Sequence, residues 1–164
     1  MGSVFLCGFM GCGKSTVGKL LAKKTGRSFV DLDVYIEELQ QMTIPEIFEK
    51  KGEPFFRKCE SEALAELGGA GGVIATGGGA LLSHENGVIA NKAGTVVYID
   101  APFESCYGRI KGDKNRPIAY NSTKEQLLER YEYRRPLYIE NSGFTVDGSG
   151  TPMEIVQRII DILQ

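Results

Sequence analysis

Five short apolar runs alternate along the chain with longer stretches of helical periodicity. The apolar runs predict buried β-strands at residues 3–7, 28–32, 73–76, 95–99 and 144–147. Apolar residues recur at helical spacing over residues 15–25, 34–51, 54–68, 84–91, 102–110, 123–141 and 152–163. Strands that alternate with helices form parallel sheets covered on both faces. The pattern therefore predicts an α/β fold of three layers, α/β/α, around a five-stranded parallel sheet.

The bulk composition is typical of a single globular domain. Of the 164 residues, 42% are hydrophobic and 24% are charged, so we expect one domain spanning residues 1–164. The net charge of −2 argues against nucleic acid or an acidic membrane surface as a partner, because both require a basic face. The absence of a signal segment and of any stretch near ~20 apolar residues predicts a cytoplasmic protein.

Cysteine and histidine usage excludes several kinds of site. The four cysteines, at positions 7, 12, 59 and 106, show no short paired spacing, so neither a zinc knuckle nor a disulfide framework is indicated. Reduced, intracellular thiols are the simpler interpretation. His84 is the single histidine, which excludes a histidine metal cluster and argues against a Ser-His-Asp triad. Its neighbours Leu82, Ser83 and Glu85 predict an exposed helix start at this position.

A glycine-rich segment between the first strand and the first helix carries the strongest chemical signal. It reads Gly8-Phe9-Met10-Gly11-Cys12-Gly13-Lys14-Ser15-Thr16, the spacing of a phosphate-binding loop. Backbone N–H groups at a helix start point toward phosphate oxygens, Lys14 is placed to reach the outer phosphates, and Ser15 to ligate Mg²⁺. The segment predicts binding of a nucleoside triphosphate. A dinucleotide site is disfavoured, because Thr16 stands where that motif requires a third small residue.

Two carboxylates follow the second predicted strand, Asp31 and Asp33. Strand alternation is expected to place them on one side, where one could hold the water shell of Mg²⁺ and the other could align an acceptor hydroxyl. A cap on the following helix remains an alternative for Asp33. Asp100, after the fourth strand, resembles a second metal ligand, but Pro102 and Glu104 behind it favour a helix cap there as well.

A polar segment at residues 111–123 breaks the helical periodicity and separates two predicted helices. It is typical either of a lid that closes over phosphates and excludes water or of an ordinary solvated connection. The arginine fork matches carboxylates and phosphates, so the placement of Arg57, Arg109, Arg116 and Arg134 makes a small anionic acceptor plausible. Four other arginines are interpreted as surface residues: Arg27, Arg130, Arg135 and Arg158.

Taken in order, these motifs resemble the shikimate kinase family, within the group of P-loop proteins similar to nucleoside monophosphate kinases. The resemblance spans essentially the whole chain. It rests on the phosphate-binding loop, Asp31-x-Asp33 with Ile36-Glu37, Phe56-Arg57-x-x-Glu60, Gly77-Gly78-Gly79, Arg116-Pro117, and Arg134-x-Pro136-Leu137-Tyr138. Each motif is common by itself, but the ordered set is specific.

The resemblance implies transfer of the ATP γ-phosphate to the 3-hydroxyl of shikimate, with Mg²⁺ as cofactor, in a protein expected to be a monomer. It implies catalytic roles for Lys14, Asp33 and Arg116. Metal binding is implied for Ser15 directly and for Asp31 through water. The implied nucleotide-binding residues are Gly11, Cys12, Gly13, Lys14, Ser15, Thr16, Arg109 and Arg116. The implied shikimate-binding residues are Asp33, Arg57, Gly77, Gly78, Gly79 and Arg134, with Glu60 orienting Arg57 and the helical region 34–60 framing the acceptor.

Two positions depart from the family pattern. Ile118 stands where a leucine commonly follows the proline, and Gly150 stands where family members often carry an arginine beside adenine. The second departure affects the expected adenine contacts. Another small-molecule kinase, acting on gluconate or a nucleoside monophosphate, is the main alternative. A GTP-dependent switch is disfavoured because Asn91-Lys92-Ala93-Gly94 lacks the aspartate of the guanine motif.

Overall fold

In the computed structural model, which describes residues 2–164, five parallel strands form one sheet in the order β2-β3-β1-β4-β5. The strands are β1 Ser3–Cys7, β2 Phe29–Asp31, β3 Val73–Ala75, β4 Gly94–Asp100 and β5 Phe144–Asp147. In the central register, Phe5 of β1 lies between Ile74 of β3 and Val96 of β4. Every residue of β1 is buried, because helices cover both faces of the sheet. The predicted fold class is confirmed.

Nine α-helices and one 3₁₀ turn connect the strands within the described residues. The helices are α1 Lys14–Thr25, α2 Leu32–Gln40, α3 Ile44–Lys51, α4 Glu53–Gly68, α5 His84–Ala93, α6 Phe103–Ile110, α7 Pro117–Tyr120, α8 Lys124–Asn141 and α9 Pro152–Leu163, and the 3₁₀ turn is Ala80–Leu82. One apolar core packs α1, α6 and α9 against the sheet, and the other packs α2 to α5 against its opposite face. Helix α8 contributes to both cores, through Leu127 to the first and Tyr138 to the second.

The single helix predicted over residues 34–51 is wrong, since the chain folds there as α2 and α3. The break is at Gln41, which takes a left-handed φ of 55°. The Thr43 hydroxyl then accepts a hydrogen bond from the Glu46 N–H, and Pro45 occupies the first turn of α3. A threonine cap with an early proline is a strong helix start, so it overrides the continuous apolar period.

The predicted exposed helix start at His84 agrees with the structure. His84 is exposed and begins α5, behind a Ser83 side chain that accepts a hydrogen bond from the Asn86 N–H. The polar segment 111–123 is irregular except for the single turn of α7. All four cysteines are buried and unpaired. Among residues 2–164, none of the helices has the length and apolar character needed to cross a membrane.

Candidate active site

The phosphate-binding loop joins the central strand β1 to the first turn of α1. Gly11 has a φ of 82°, and a β-carbon there would lie 2.7 Å from the Cys106 carbonyl oxygen, so only glycine fits. The Lys14 ammonium donates to the Gly8 carbonyl at 2.6 Å and to the Phe9 carbonyl at 3.3 Å. The Arg109 guanidinium donates to the Gly11 carbonyl at 2.8 Å. Two cationic side chains, Lys14 and Arg109, are thereby bonded to carbonyls of the loop.

A cleft of about 380 Å³ lies at the carboxyl ends of the strands, above this loop. It brings together most of the predicted nucleotide, metal and catalytic residues with two of the predicted acceptor-binding residues. The first set is Gly11, Gly13, Lys14, Ser15, Thr16, Asp31, Asp33, Arg109 and Arg116, and the second is Gly77 and Gly78. Cys12 lies outside this cleft. Ligands of open parallel sheets bind at this edge, so the cleft is the place where a phosphate donor and an acceptor can meet.

The two aspartates reach the cleft by a route other than the predicted one. Helix α2 begins at Leu32, immediately after Asp31, so Asp33 lies in the first helical turn and strand alternation does not apply. The cap is Asp31, whose carboxylate accepts hydrogen bonds from the N–H groups of Asp33 at 3.0 Å and Val34 at 3.2 Å. The expected alternation and the alternative of a cap by Asp33 are therefore both wrong, although both carboxylates line the cleft.

Asp33 carries the clearest electrostatic signature in the cleft. Burial raises the pKa of its carboxyl group to about 6, and the nearby Asp31 charge adds to this rise. Lys14 and Arg57 act in the opposite direction but do not offset it. A carboxylate with a pKa close to neutrality is suited to accept a proton in a reaction near pH 7.

The predicted acceptor-binding side chains come together at the segment 77–79. A β-carbon on Gly77 would lie 2.5 Å from an Asp33 carboxylate oxygen, one on Gly78 would lie 3.1 Å from Arg134 Nη1, and one on Gly79 would lie 2.6 Å from Arg57 Nη1. None of the three glycines has a positive φ. Glycine at these positions therefore leaves room for the Asp33, Arg134 and Arg57 side chains, which pack directly against the bare backbone.

Arg57 is held in place by two glutamates of its own helix, α4. Its Nη1 donates to Glu60 at 2.7 Å, and its Nε and Nη2 both approach Glu53 at 3.3 Å. Glu60 is 1% exposed. Burial raises the pKa of its carboxyl group, while the hydrogen bond from Arg57 opposes that rise. A buried carboxylate paired with one arginine fixes the direction of the guanidinium, as expected for Glu60.

Asp100 is not the helix cap that its neighbours suggested. Helix α6 begins after Pro102 without a side-chain cap, and both Asp100 oxygens accept from Arg135, at 3.1 and 2.7 Å. The Tyr98 hydroxyl approaches the same carboxylate at 3.1 Å. Arg135 is exposed, as predicted, but its guanidinium is held by the carboxylate at the end of β4. The two positions are 35 residues apart, and no sequence motif signals their pairing.

A second cavity of about 170 Å³ adjoins the phosphate-binding loop. Its lining is largely apolar and comprises Cys12, Gly13, Thr16, Val17, Arg109, Gly150, Pro152 and Ile155. Gly150 has a φ of 92°. Arg158 was interpreted as a surface residue, but it donates to the carbonyls of Asp147 at 2.8 Å and Ser149 at 2.6 Å. It thereby fixes the turn that carries Gly150.

The strand order, the phosphate-binding loop and the charged cleft define a kinase of the P-loop class. A family model described as shikimate kinase matches residues 10–164. The shikimate kinase of Geobacter sulfurreducens is 45% identical over 156 residues, covering 94% of this chain and 86% of that protein. This chain belongs to the shikimate kinase family.

Solved structures give the same result. Shikimate kinase from Acinetobacter baumannii, in complex with shikimate, has a TM-score of 0.86 and 39% identity, covering 99% of this chain and 93% of that one. The Aquifex aeolicus enzyme has a TM-score of 0.84 and 38% identity, with coverage of 98% and 95%. A gluconokinase from Sinorhizobium meliloti covers 99% of this chain and 95% of that one, at a TM-score of 0.60 and 16% identity. That last likeness concerns the fold alone.

Proposed function

We propose that this protein transfers the γ-phosphate of ATP to the 3-hydroxyl of shikimate, giving shikimate 3-phosphate and ADP, on the route to chorismate and the aromatic amino acids. The observation that carries the proposal is the convergence of Asp33, Arg134 and Arg57 on three consecutive glycines. One carboxylate beside two arginines suits an acceptor that has both a hydroxyl and a carboxylate. Two of these glycines, Gly77 and Gly78, also line the cleft that contains the phosphate-binding loop.

On the donor side, we propose that the backbone of Gly11 to Thr16 cradles the ATP phosphates. Lys14 neutralises charge on the transferred group. It is placed to do so, because it lines the cleft and its ammonium contacts the Gly8 and Phe9 carbonyls and the Cys12 sulfur of the same loop. Arg109 lines both the main cleft and the apolar second cavity, which supports a position between the phosphates and the adenine ring. Cys12 lines the second cavity, as part of the same loop.

Mg²⁺ is the proposed cofactor, with Ser15 as a direct ligand and Asp31 acting through water. Hydroxyl and carboxylate oxygens are the ligands this ion prefers, and it is usually held by one or two protein groups together with substrate phosphates. The described residues contain no group of three or more His, Cys, Asp or Glu side chains suited to holding a metal. The residues present therefore fit a metal that is shared with the nucleotide. When bound, it would neutralise charge on the transferred phosphoryl group.

On the acceptor side, Arg57 and Arg134 would grip the shikimate carboxylate, and Asp33 would accept the proton of the attacking hydroxyl. The Gly77 to Gly79 backbone lies between these side chains, so it would contact the ring hydroxyls. The helical region 34–60 would surround the bound acceptor. A pKa of about 6 leaves Asp33 mostly ionised at neutral pH, which is the state that a base requires.

The lid would be the segment 111–123, within a single domain covering residues 1–164. Arg116 lines the cleft but is also paired with Asp113 at 3.3 Å. Arg116 can leave Asp113 for a phosphate at little cost in free energy, because a solvent-exposed ion pair contributes little to stability. We therefore propose that Arg116 contacts the transferred phosphate when the segment closes.

We also propose a cytoplasmic monomer. Four free cysteines suit a reducing compartment, and the exposed large apolar side chains are scattered over several helices and the edge strand β5. Sedimentation of the purified protein and fractionation of its host cells test these two points.

The decisive experiment measures magnesium-dependent ADP release from ATP with shikimate, gluconate, AMP or no acceptor. Release that requires shikimate supports the proposal, whereas equal or greater release with another acceptor contradicts it. The Arg57→Ala and Arg134→Ala variants should each raise the shikimate KM by roughly 10- to 150-fold with little change for ATP. Arg130→Ala, on the same helix as Arg134, is the matched control. An unchanged shikimate KM in both site variants would remove the two arginines from the acceptor site.

A further inference from the structure

Three buried side chains donate hydrogen bonds to the backbone of residues 78–81, which includes the last two glycines of the proposed acceptor site. The Tyr138 hydroxyl donates to the Gly78 carbonyl at 2.7 Å, Asn86 Nδ2 to the Ala80 carbonyl at 2.9 Å, and Asn141 Nδ2 to the Leu81 carbonyl at 2.8 Å. All three donors are less than 5% exposed. Buried carbonyls need such partners, so this short segment depends on side-chain donors for its position.

Two of these donors come from α8, the helix that also carries Arg134. Residues 134, 138 and 141 follow the spacing that places side chains on one face of a helix. The Tyr138 ring is fully buried and stacks on Tyr98 of β4, with ring centroids 5.3 Å apart and planes 27° apart. The ring cannot shift without disturbing the core, so its hydroxyl is a fixed point relative to the sheet.

The Arg134 guanidinium approaches the same glycine as this hydroxyl. Arg134 Nη1 is 3.1 Å from the place where a Gly78 β-carbon would be. Burial raises the pKa of the Tyr138 hydroxyl, and the Arg134 charge together with a hydrogen bond from its side chain opposes that rise. The hydroxyl is therefore able to accept from Arg134 while it donates to Gly78, which are the two capacities that a phenol has.

We propose that Tyr138 is a positioning residue for the acceptor, whose hydroxyl sets the distance between the Arg134 guanidinium and the Gly78 backbone. This inference rests on the proposed function. The guanidinium would hold the carboxylate end of shikimate, and the Gly78 backbone would contact its hydroxyl end. A group that joins both fixes the acceptor at two points at once, and small displacements of either point lower acceptor binding.

Tyr138→Phe removes the hydroxyl and retains the ring that stacks on Tyr98. We expect the shikimate KM to rise about tenfold, the effect of one lost hydrogen bond that orients a charged group, with the ATP KM changed by less than about twofold. Tyr131→Phe is the matched control. Tyr131 lies on the same helix, and its hydroxyl donates to the Ala101 carbonyl at the same 2.7 Å, but its partner lies away from the glycine segment. This control should leave the shikimate KM unchanged while it lowers the melting temperature comparably.

A double-mutant cycle separates positioning from a general loss of stability. Because Tyr138 acts through both Arg134 and the Gly78 backbone, adding Tyr138→Phe to Arg134→Ala should raise the shikimate KM by clearly less than the tenfold expected in the wild-type background. Equal shikimate KM values for wild type and Tyr138→Phe overturn the inference, and so does full additivity in the cycle or an equal KM rise in Tyr131→Phe. Wild-type turnover that does not require shikimate overturns the proposed function, and this inference with it. If wild-type turnover requires shikimate but Tyr138→Phe has the wild-type shikimate KM, the role of Tyr138 is overturned and the proposed function is not.

Discussion

Replacing Asp33 by asparagine should make the free enzyme more stable at neutral pH while it removes turnover. Burial and the neighbouring Asp31 raise the pKa of the Asp33 carboxyl group from 3.8 to about 6. Between these values the folded state binds a proton that the unfolded state has released. The free energy of unfolding therefore falls as pH rises through this window. Above about pH 6 the folded protein carries the full cost of a buried charge.

The size of the effect follows from the two pKa values. A difference of about two pH units corresponds to about 3 kcal/mol, since one unit equals 1.36 kcal/mol. Asn keeps the shape of the protonated carboxyl group and carries no charge. Asp33→Asn should therefore raise the free energy of unfolding by about 3 kcal/mol near pH 8, and by roughly half as much near pH 5. For a chain of this length, a gain of about 3 kcal/mol raises the melting temperature by roughly 6–12 °C.

Urea unfolding of both proteins near pH 8 and near pH 5 measures this difference. Glu38→Gln is the matched control, because it makes the same change on an exposed residue of α2 and should stay within about 0.5 kcal/mol of wild type. Turnover of Asp33→Asn should fall by ~10²-fold or more, because an amide cannot accept the hydroxyl proton. A stabilisation that is absent, or that is equal at the two pH values, would refute the assignment of a buried charge to Asp33.

Three further predictions concern separate parts of the molecule. The kcat/KM for shikimate should fall with unit slope below an apparent pKa of about 6, the value of Asp33, and a flat profile in initial-rate assays would contradict that role. Arg135→Ala should lower the free energy of urea unfolding by about 1 kcal/mol, because it leaves Asp100 without its bidentate partner; an unchanged midpoint would mean that the pair adds nothing. Gly11→Ala places a side chain against the Cys106 carbonyl at a φ of 82°. It should weaken binding of a fluorescent ATP analogue at least about tenfold, and normal affinity would contradict the observed loop geometry.

The sheet was predictable because both of its faces are covered. Every residue of β1 is buried, as are residues 96–99 of β4, so these two strands are largely apolar runs that stand out in the sequence. The phosphate-binding loop was predictable for a related reason. Its function resides in nine consecutive residues, whose spacing is fixed by the backbone path around a phosphate.

Both ends of α2 were predicted incorrectly, because local signals for a strand, a helix start and a helix break lie close together there. At Leu32 the chain passes directly from strand to helix, because the Asp31 side chain satisfies two N–H groups of the first turn. The alternation of side chains along a strand therefore could not predict the relative positions of Asp31 and Asp33, because the strand ends between them. The break at Gln41 was missed because apolar residues continue at helical spacing across it, although Thr43 and Pro45 did carry a start signal.

Pairs that are distant in sequence could not be predicted by motif or periodicity. Arg135 meets Asp100 across 35 residues, and Tyr138 meets Gly78 across 60 residues. Such contacts depend on how α8 packs against β4, which no local pattern specifies. The resemblance did include Tyr138 in a motif, but the motif said nothing of what its hydroxyl contacts.

The two halves of the site therefore differ in how they are built. The phosphate-binding half is contiguous and is positioned by one strand and one helix. The proposed acceptor half is assembled from Asp33 on α2, Arg57 on α4 and Arg134 on α8, which approach Gly77 to Gly79 in space that a side chain there would occupy. A single added methyl group on this segment must displace a functional group of one of those helices. Changes at the glycines should thus alter acceptor binding while nucleotide binding persists, and this separation allows a P-loop fold to keep its donor and change its acceptor.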